Sequence, residues 1–318
     1  MSPIRRSVAF GIFGTLTMIP LSLGAQGSRP QLAGHAFVSS TIQPDPFIKT
    51  TLSTVIALGQ AFDYQIAWPV LGDDTLYVAE GEMTWLSLDF DYRQRVTDWL
   101  AVGVQGVGGA RVGTSAASAI ADGVSIVTAF RVGGLASLAR SKRLALSANV
   151  DVSRSGVSLL NILGFAEELI DSVEAGGSLD SLSISYKYHA WRGHGGLQMA
   201  YSPTPLLGLS ANAHFAVGEE FVSLEDAFLD VDLGVTVDFN LQSVGIAPLG
   251  LVLSYRFSTF ADRVETSLGN SHATVIGISY VGNEDFAAGL EVYASRIPLA
   301  DGDGVSVGMT AIRMRYYF

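Results

Sequence analysis

Five histidines supply the chain's groups of near-neutral pKa: His35, His189, His214, His194 and His272. With no cysteine present, nucleophilic chemistry would need a Ser/His or Asp/His grouping. His189 and His214 fall on neighbouring predicted strands, on the parity opposite to the apolar residues, where Asp238 or Ser210 could meet them. Such a grouping needs hydrogen-bond contact, and polar residues on that parity are expected of any water-lined wall. The metal case is weaker, because the chain contains neither an HxH nor an HExxH spacing. Residues 301–304, DGDG, open like a calcium loop but lack the later acidic ligand. The glycine-rich run GVGGARVG at 106–113 matches no phosphate-binding fingerprint. The expectation is therefore a protein that is not an enzyme and needs no cofactor or metal.

Whatever these residues do, strands must position them. The 318 residues are 48 % hydrophobic and only 15 % charged, with a mean hydropathy of +0.35. Past residue 25, however, polar residues interrupt every apolar run before it reaches the ~18 residues of a membrane helix. Apolar on average but nowhere for long means alternation. The clearest case is DVDLGVTVDFNLQ at 230–242, where Val231, Leu233, Val235, Val237, Phe239 and Leu241 share one parity. Asp230, Asp232, Asp238 and Asn240 share the other. Similar segments centre on Leu88, Ala148, Ala211, Leu253 and Leu290. At ~3.3 Å per residue the 230–242 segment spans about 40 Å, beyond the 9–11 residues a barrel strand needs to cross a bilayer.

The connections alternate as well. Short ones fall at 93–98, 139–143, 202–204, 244–248 and 282–285, and longer ones between them. The count is about twelve strands, with ten to fourteen allowed by the stretch 182–201. There the apolar parity switches, and a β-bulge within WRGHGG (191–196) would reset the register. A soluble sandwich also alternates, but would not carry an apolar face of crossing length on nearly every strand. Aromatic residues also gather near strand ends (Tyr92, Trp99, Tyr201, Tyr280 and Phe286).

The lumen-facing parity would carry Asp89, Asp91, Arg131, Asp151, Lys187, His189, His214, Asp238, Arg256, Glu291, Arg313 and Arg315. These could pair across the lumen and plug it, or segregate into a selectivity ladder. Residues 157–175 follow a helical stripe and predict a short amphipathic helix in an external loop.

Residues 1–25 read as a signal peptide, with Arg5 and Arg6 before an apolar stretch. Its removal would leave 17 basic against 30 acidic residues, a net charge of −13 that disfavours nucleic acid. Residues 26–46 then read as a periplasmic N-terminal segment and 47–318 as the barrel.

A signal peptide, alternating strands with short and long connections, and a closing Ile312, Met314, Tyr316, Phe318 parity resemble bacterial outer-membrane β-barrel proteins, with small channels of about twelve strands nearest. The resemblance implies an all-β, antiparallel up-and-down transmembrane barrel in the outer membrane, partnered by outer-membrane lipid. It also implies that Tyr316 and Phe318 form an insertion signal read by the barrel-assembly machinery. The function it implies is a channel or transporter for passive passage of small solutes. A plugged structural barrel and an outer-membrane hydrolase are the alternatives.

Overall fold

The computed structural model describes residues 28–68, 77–113, 124–160, 185–218, 228–259, 270–298 and 304–318. The proposed signal peptide lies outside them, and so does most of the proposed helix. Residues 157–160 of that segment belong to a strand. Among the described residues the helical turn is a 3-10 one at Leu241–Val244.

Two short strands, β1 (Gln31–Leu32) and β2 (His35–Ala36), form a small hairpin ahead of the barrel. Twelve long strands follow: β3 (Thr51–Trp68), β4 (Tyr77–Arg95), β5 (Leu100–Gly113), β6 (Val124–Arg140), β7 (Leu144–Leu160), β8 (Ser185–Tyr201), β9 (Leu207–Gly218), β10 (Phe228–Asn240), β11 (Leu249–Thr259), β12 (Asn270–Tyr280), β13 (Phe286–Pro298) and β14 (Gly304–Tyr317). Each pairs antiparallel with its sequence neighbour, and β14 pairs with β3, so the sheet closes without an edge. Closure satisfies every ladder internally, which a sheet immersed in lipid requires. The Phe318 amide donates to the Thr50 carbonyl at 3.0 Å, carrying the seam to the last residue.

Alternation sorts the side chains as the sequence predicts. Leu86, Leu88, Phe90, Leu251, Leu253 and Ile312 stand exposed on the outside. In water each such side chain would forgo about 1.5–3 kcal/mol of burial. A contiguous band of them is an outer wall built for lipid. Trp99, Tyr280, Tyr316 and Phe318 sit on that wall near the short turns, where Phe286 and Tyr316 stack at 4.8 Å. The last strand keeps the expected parity: Arg313 and Tyr317 turn inward and buried, whereas Ile312, Tyr316 and Phe318 are exposed.

The bulge expected within 191–196 is not there. Strand β8 pairs with β7 without a break from Leu160↔Ser185 to Leu144↔Tyr201. Register shifts occur instead in β3, between Ala61 and Tyr64, and in β6, between Ser137 and Ala139.

Candidate functional site: the lumen and the segment inside it

Residues 28–50 run inside the short-turn end of the barrel. The contacts that hold them there go round the ring. Arg29 donates from its guanidinium to the carbonyls of Val281 at 3.0 Å, Asn283 at 2.6 Å and Phe286 at 2.9 Å. The Ala33 amide donates to Lys142 O at 2.8 Å, in the β6–β7 turn. The Thr41 amide and hydroxyl both donate to Glu291 Oε2, at 2.8 and 2.6 Å. Asp45 accepts from Arg315 at 2.9 Å, and its carbonyl accepts from Arg93 at 3.0 Å. Ser147 donates to Pro46 O at 2.5 Å. Between them these anchors belong to β4, β7, β13, β14 and two turns, so the segment crosses the lumen as a plug.

Apolar packing matches this ring of hydrogen bonds. Leu32, Phe37 and Phe47 pack on Ala145 and Ala200, Val38 on Val252 and Val281, and Ile48 on Ala101 and Leu135. Burial of each large side chain contributes about 1.5–3 kcal/mol before ordering costs. The wall is cut to receive them. A Cβ on Gly250 would stand 2.3 Å from Val38, and one on Gly208 would stand 2.3 Å from His35 Nε2.

The plug's most buried polar contact is His35 with Asp238, Nε2 to Oδ1 at 2.6 Å, both side chains fully buried. Nδ1 lies 2.9 Å from the Pro205 carbonyl, which can only accept, so Nδ1 carries a proton. The single proton between Nε2 and Oδ1 leaves the pair net neutral whichever atom holds it, which lets it be buried. The Val38 amide donates to the same Oδ1 at 3.1 Å.

Burial holds Arg29 below its ordinary pKa, the largest influence on it. Lys49, at the plug's exit, is also held down, first by burial and then by repulsion from Arg140 and Arg95.

Above the plug lies a chamber of about 400 Å³. Ser40, Thr41, Gln43 and Asp45 form its floor and the inward faces of the strands its wall. Five carboxylates line it, from Asp45, Asp89, Asp91, Asp151 and Asp232. Five guanidiniums balance them, from Arg93, Arg131, Arg256, Arg313 and Arg315, with His214 beside them. Among the described residues the chamber's charges do not pair across the lumen. Arg256 pairs with Asp232, and Arg313 with Glu291 at 2.8 Å, each on an adjacent strand, while Arg315 reaches down to Asp45 of the plug. What fills the lumen is a piece of chain, not a bridge of side chains.

Most of the residues expected on the lumen wall are there. Asp89, Asp91, Arg131, Asp151, His214, Arg256, Arg313 and Arg315 line the chamber. Asp238 and Glu291 lie lower, engaged by the plug. Lys187 and His189 stand exposed and share the parity of Trp191, Leu197 and Met199, on the outside. His189 is therefore not near His214, which lies 3.4 Å from Gln198 Nε2 and directly opposite Asp232. Among the described residues no three His, Asp or Glu side chains gather as a metal site would need.

The sequence reading missed His35, Asp45 and Arg29. A signal for them existed. Ala101, Leu135, Ala145, Ala200 and Val252 are apolar residues on the lumen parity, all near short turns, and such residues in a water-lined wall call for an apolar occupant.

No family model matches the chain, and no curated protein matches it in sequence. Among solved structures it is similar to an outer-membrane channel from Pseudomonas putida F1, at 10 % identity over 89 % of this chain and 100 % of that one, with a TM-score of 0.53. It is also similar to the translocator domain of the autotransporter NalP from Neisseria meningitidis, at 8 % identity, covering 85 % and 88 %, with a TM-score of 0.49. A Pseudomonas aeruginosa FadL homologue is similar at 11 % identity, covering 91 % and 99 %, with a TM-score of 0.46. At these identities the likeness is one of fold, that of a bacterial outer-membrane β-barrel.

Proposed function

We propose that this outer-membrane barrel is a passive channel for small polar solutes whose resting state is closed by its own N-terminal segment. The observation that carries this reading is the polar, charge-balanced chamber standing directly on a plug made of residues 28–50. A barrel serving only as scaffold has no need of a solvated chamber. A hydrophobic solute would find few suitable contacts in a wall dominated by carboxylates, guanidiniums and amides. On this reading the chain is not an enzyme: Asp238 serves the plug, and His214 is part of the lumen wall.

The rival reading is a permanently plugged structural barrel, favoured by the number of plug anchors. Planar-bilayer conductance separates the two. The full chain should conduct weakly or in rare openings, and a variant lacking residues 30–46 should conduct about tenfold more. A correctly inserted deletion variant that conducts no better than the full chain would leave the structural reading in its place.

A further inference from the structure

We propose that the chamber is a binding site for small zwitterionic solutes, of which α-amino acids are the simplest, with the carboxylate on Arg131 and the ammonium on Asp91. The inference deepens the channel reading and rests on it for the chamber's purpose.

Pairing within the chamber isolates these two residues. Arg256, Arg313 and Arg315 are each held by a carboxylate, and Arg93 donates to a plug carbonyl. Asp89 accepts from Gln105 at 2.9 Å, Asp151 accepts from Asn149, and Asp45 and Asp232 hold arginines. Among the described residues Arg131 and Asp91 are left with neither an ion-pair nor a side-chain hydrogen-bond partner.

The register explains why they do not satisfy each other. Asp91 lies opposite Gln105 on β5, and Gln105 lies opposite Arg131 on β6. The two charges share one row, separated by two strand spacings, so their Cα atoms are about 10 Å apart. Gln105 occupies the place between them and is itself tied to Asp89. On the far side Arg131 faces Ser153, which bonds to His194 Nε2 at 2.7 Å. A cation and an anion are thus held apart on one wall by neutral residues engaged elsewhere. A solute carrying both signs a few ångströms apart bridges that row, and each of its charges meets one of the opposite sign.

A second, independent observation points to an occupant of the same chamber. Ser40 Oγ, both side-chain polar atoms of Gln43, Gln198 Oε1 and Asn212 Oδ1 are buried without a protein hydrogen-bond partner. All four residues line the chamber and are more than nine-tenths buried. They offer donors and acceptors to whatever polar groups a solute carries beyond its two charges. Equal numbers of lining carboxylates and guanidiniums favour a net-neutral guest over an ion of either sign. Among the described lining residues there is no Phe, Tyr or Trp, which removes the broad stacking face a neutral sugar would favour. The volume lies within the ~300–1,000 Å³ range of small-molecule sites.

Isothermal titration of the detergent-solubilised full chain with L-alanine, acetate, ethylamine and methyl glucoside tests this, with retained barrel migration on unheated gels as the folding control. L-alanine should bind, and the other three at least tenfold more weakly. Arg131→Gln and Asp91→Asn should each weaken L-alanine binding tenfold or more. The charge-swapped double variant, Arg131→Asp with Asp91→Arg, should recover part of it. Equal binding of acetate and L-alanine, or indifference to Asp91→Asn, would replace the proposal with a simple anion site. Preference for the glucoside, or no binding of any probe, would overturn it too. Conductance of the same proteins keeps the two readings apart. Conduction without L-alanine binding overturns the zwitterion site alone, and binding without conduction by the plug-deleted chain overturns the channel alone.

Discussion

The lower and upper halves of the lumen are built from the same strands on the same inward parity, yet they obey different rules. Near the short turns the inward residues are small and apolar or bound to the plug, as with Ala101, Ala145, Val252 and the Asp238–His35 contact. Higher up they are charged, and among the described residues Arg131 and Asp91 stand there without an ion-pair partner. The difference lies in the occupant. Where a segment of the chain fills the space, desolvation makes an unpaired charge costly, and the buried charges there are each held by at least one partner. Where water or a solute fills it, wall charges can be left open, because the occupant supplies the missing bonds.

If the lower half works by desolvation, its ion contacts should matter in order of their burial. The largest effect belongs to Asp238→Ala. It leaves the His35 ring and the Val38 amide buried without their acceptor, where the His35 and Asp238 side chains are both at 0 % exposure. Breaking a buried pair from one side costs about 3–5 kcal/mol. The closed-to-open ratio should fall by about 100-fold or more, read as channel opening in bilayers and as faster tryptic cleavage after Lys49, whose bond to Thr50 ends the plug. An unchanged cleavage rate would mean that the plug is held without this contact.

The plug is also where sequence reading stopped short. The barrel announces itself through period-2 alternation repeated over twelve strands, and repetition is what makes a local signal readable. The plug occurs once, has only two-residue strands, and makes contacts such as Arg29–Val281 and Arg315–Asp45 between residues more than 250 positions apart. No local pattern records such contacts. Lys187 and His189 went astray for another reason. Gly193, Gly195 and Gly196 blank the parity signal just where it had to be carried through. Beyond them the outer wall already carries another charge, Arg154 over the Trp191 ring at 5.6 Å. The parity rule sorts charges inward only where the outer face meets lipid. Arg313 and Arg315 lie within the band next to lipid-facing Met314 and Tyr316, and there it read correctly.

Asp45→Asn should have a middling effect. In the Asp45–Arg315 contact the side chains are 10 % and 14 % exposed, and Arg315 keeps its hydrogen bond to Ser39 Oγ at 2.8 Å. Loss of a charged hydrogen bond in that setting costs about 1.5–3 kcal/mol, and the retained Ser39 contact places the effect at the lower end. Opening should rise about tenfold, well short of Asp238→Ala. An Asp45 effect equal to the Asp238 one would mean that position along the plug, not burial, sets each contact's weight.

The smallest effect completes the series. Arg95 and Asp98 pair in the β4–β5 turn at 43 % and 89 % exposure, on the same end of the barrel but outside the lumen. Water screens such a pair and solvates each partner when the other is removed, so its worth is about 0–1 kcal/mol. Asp98→Asn should change neither plug cleavage nor opening beyond twofold, although the two side chains are in direct contact. Geometry alone would rank it with the buried pairs, and desolvation ranks it last. A large effect of Asp98→Asn on plug release would show that turn charges reach the plug through the field of the rim, and the contrast between the two halves of the lumen would then need an electrostatic origin instead of a packing one.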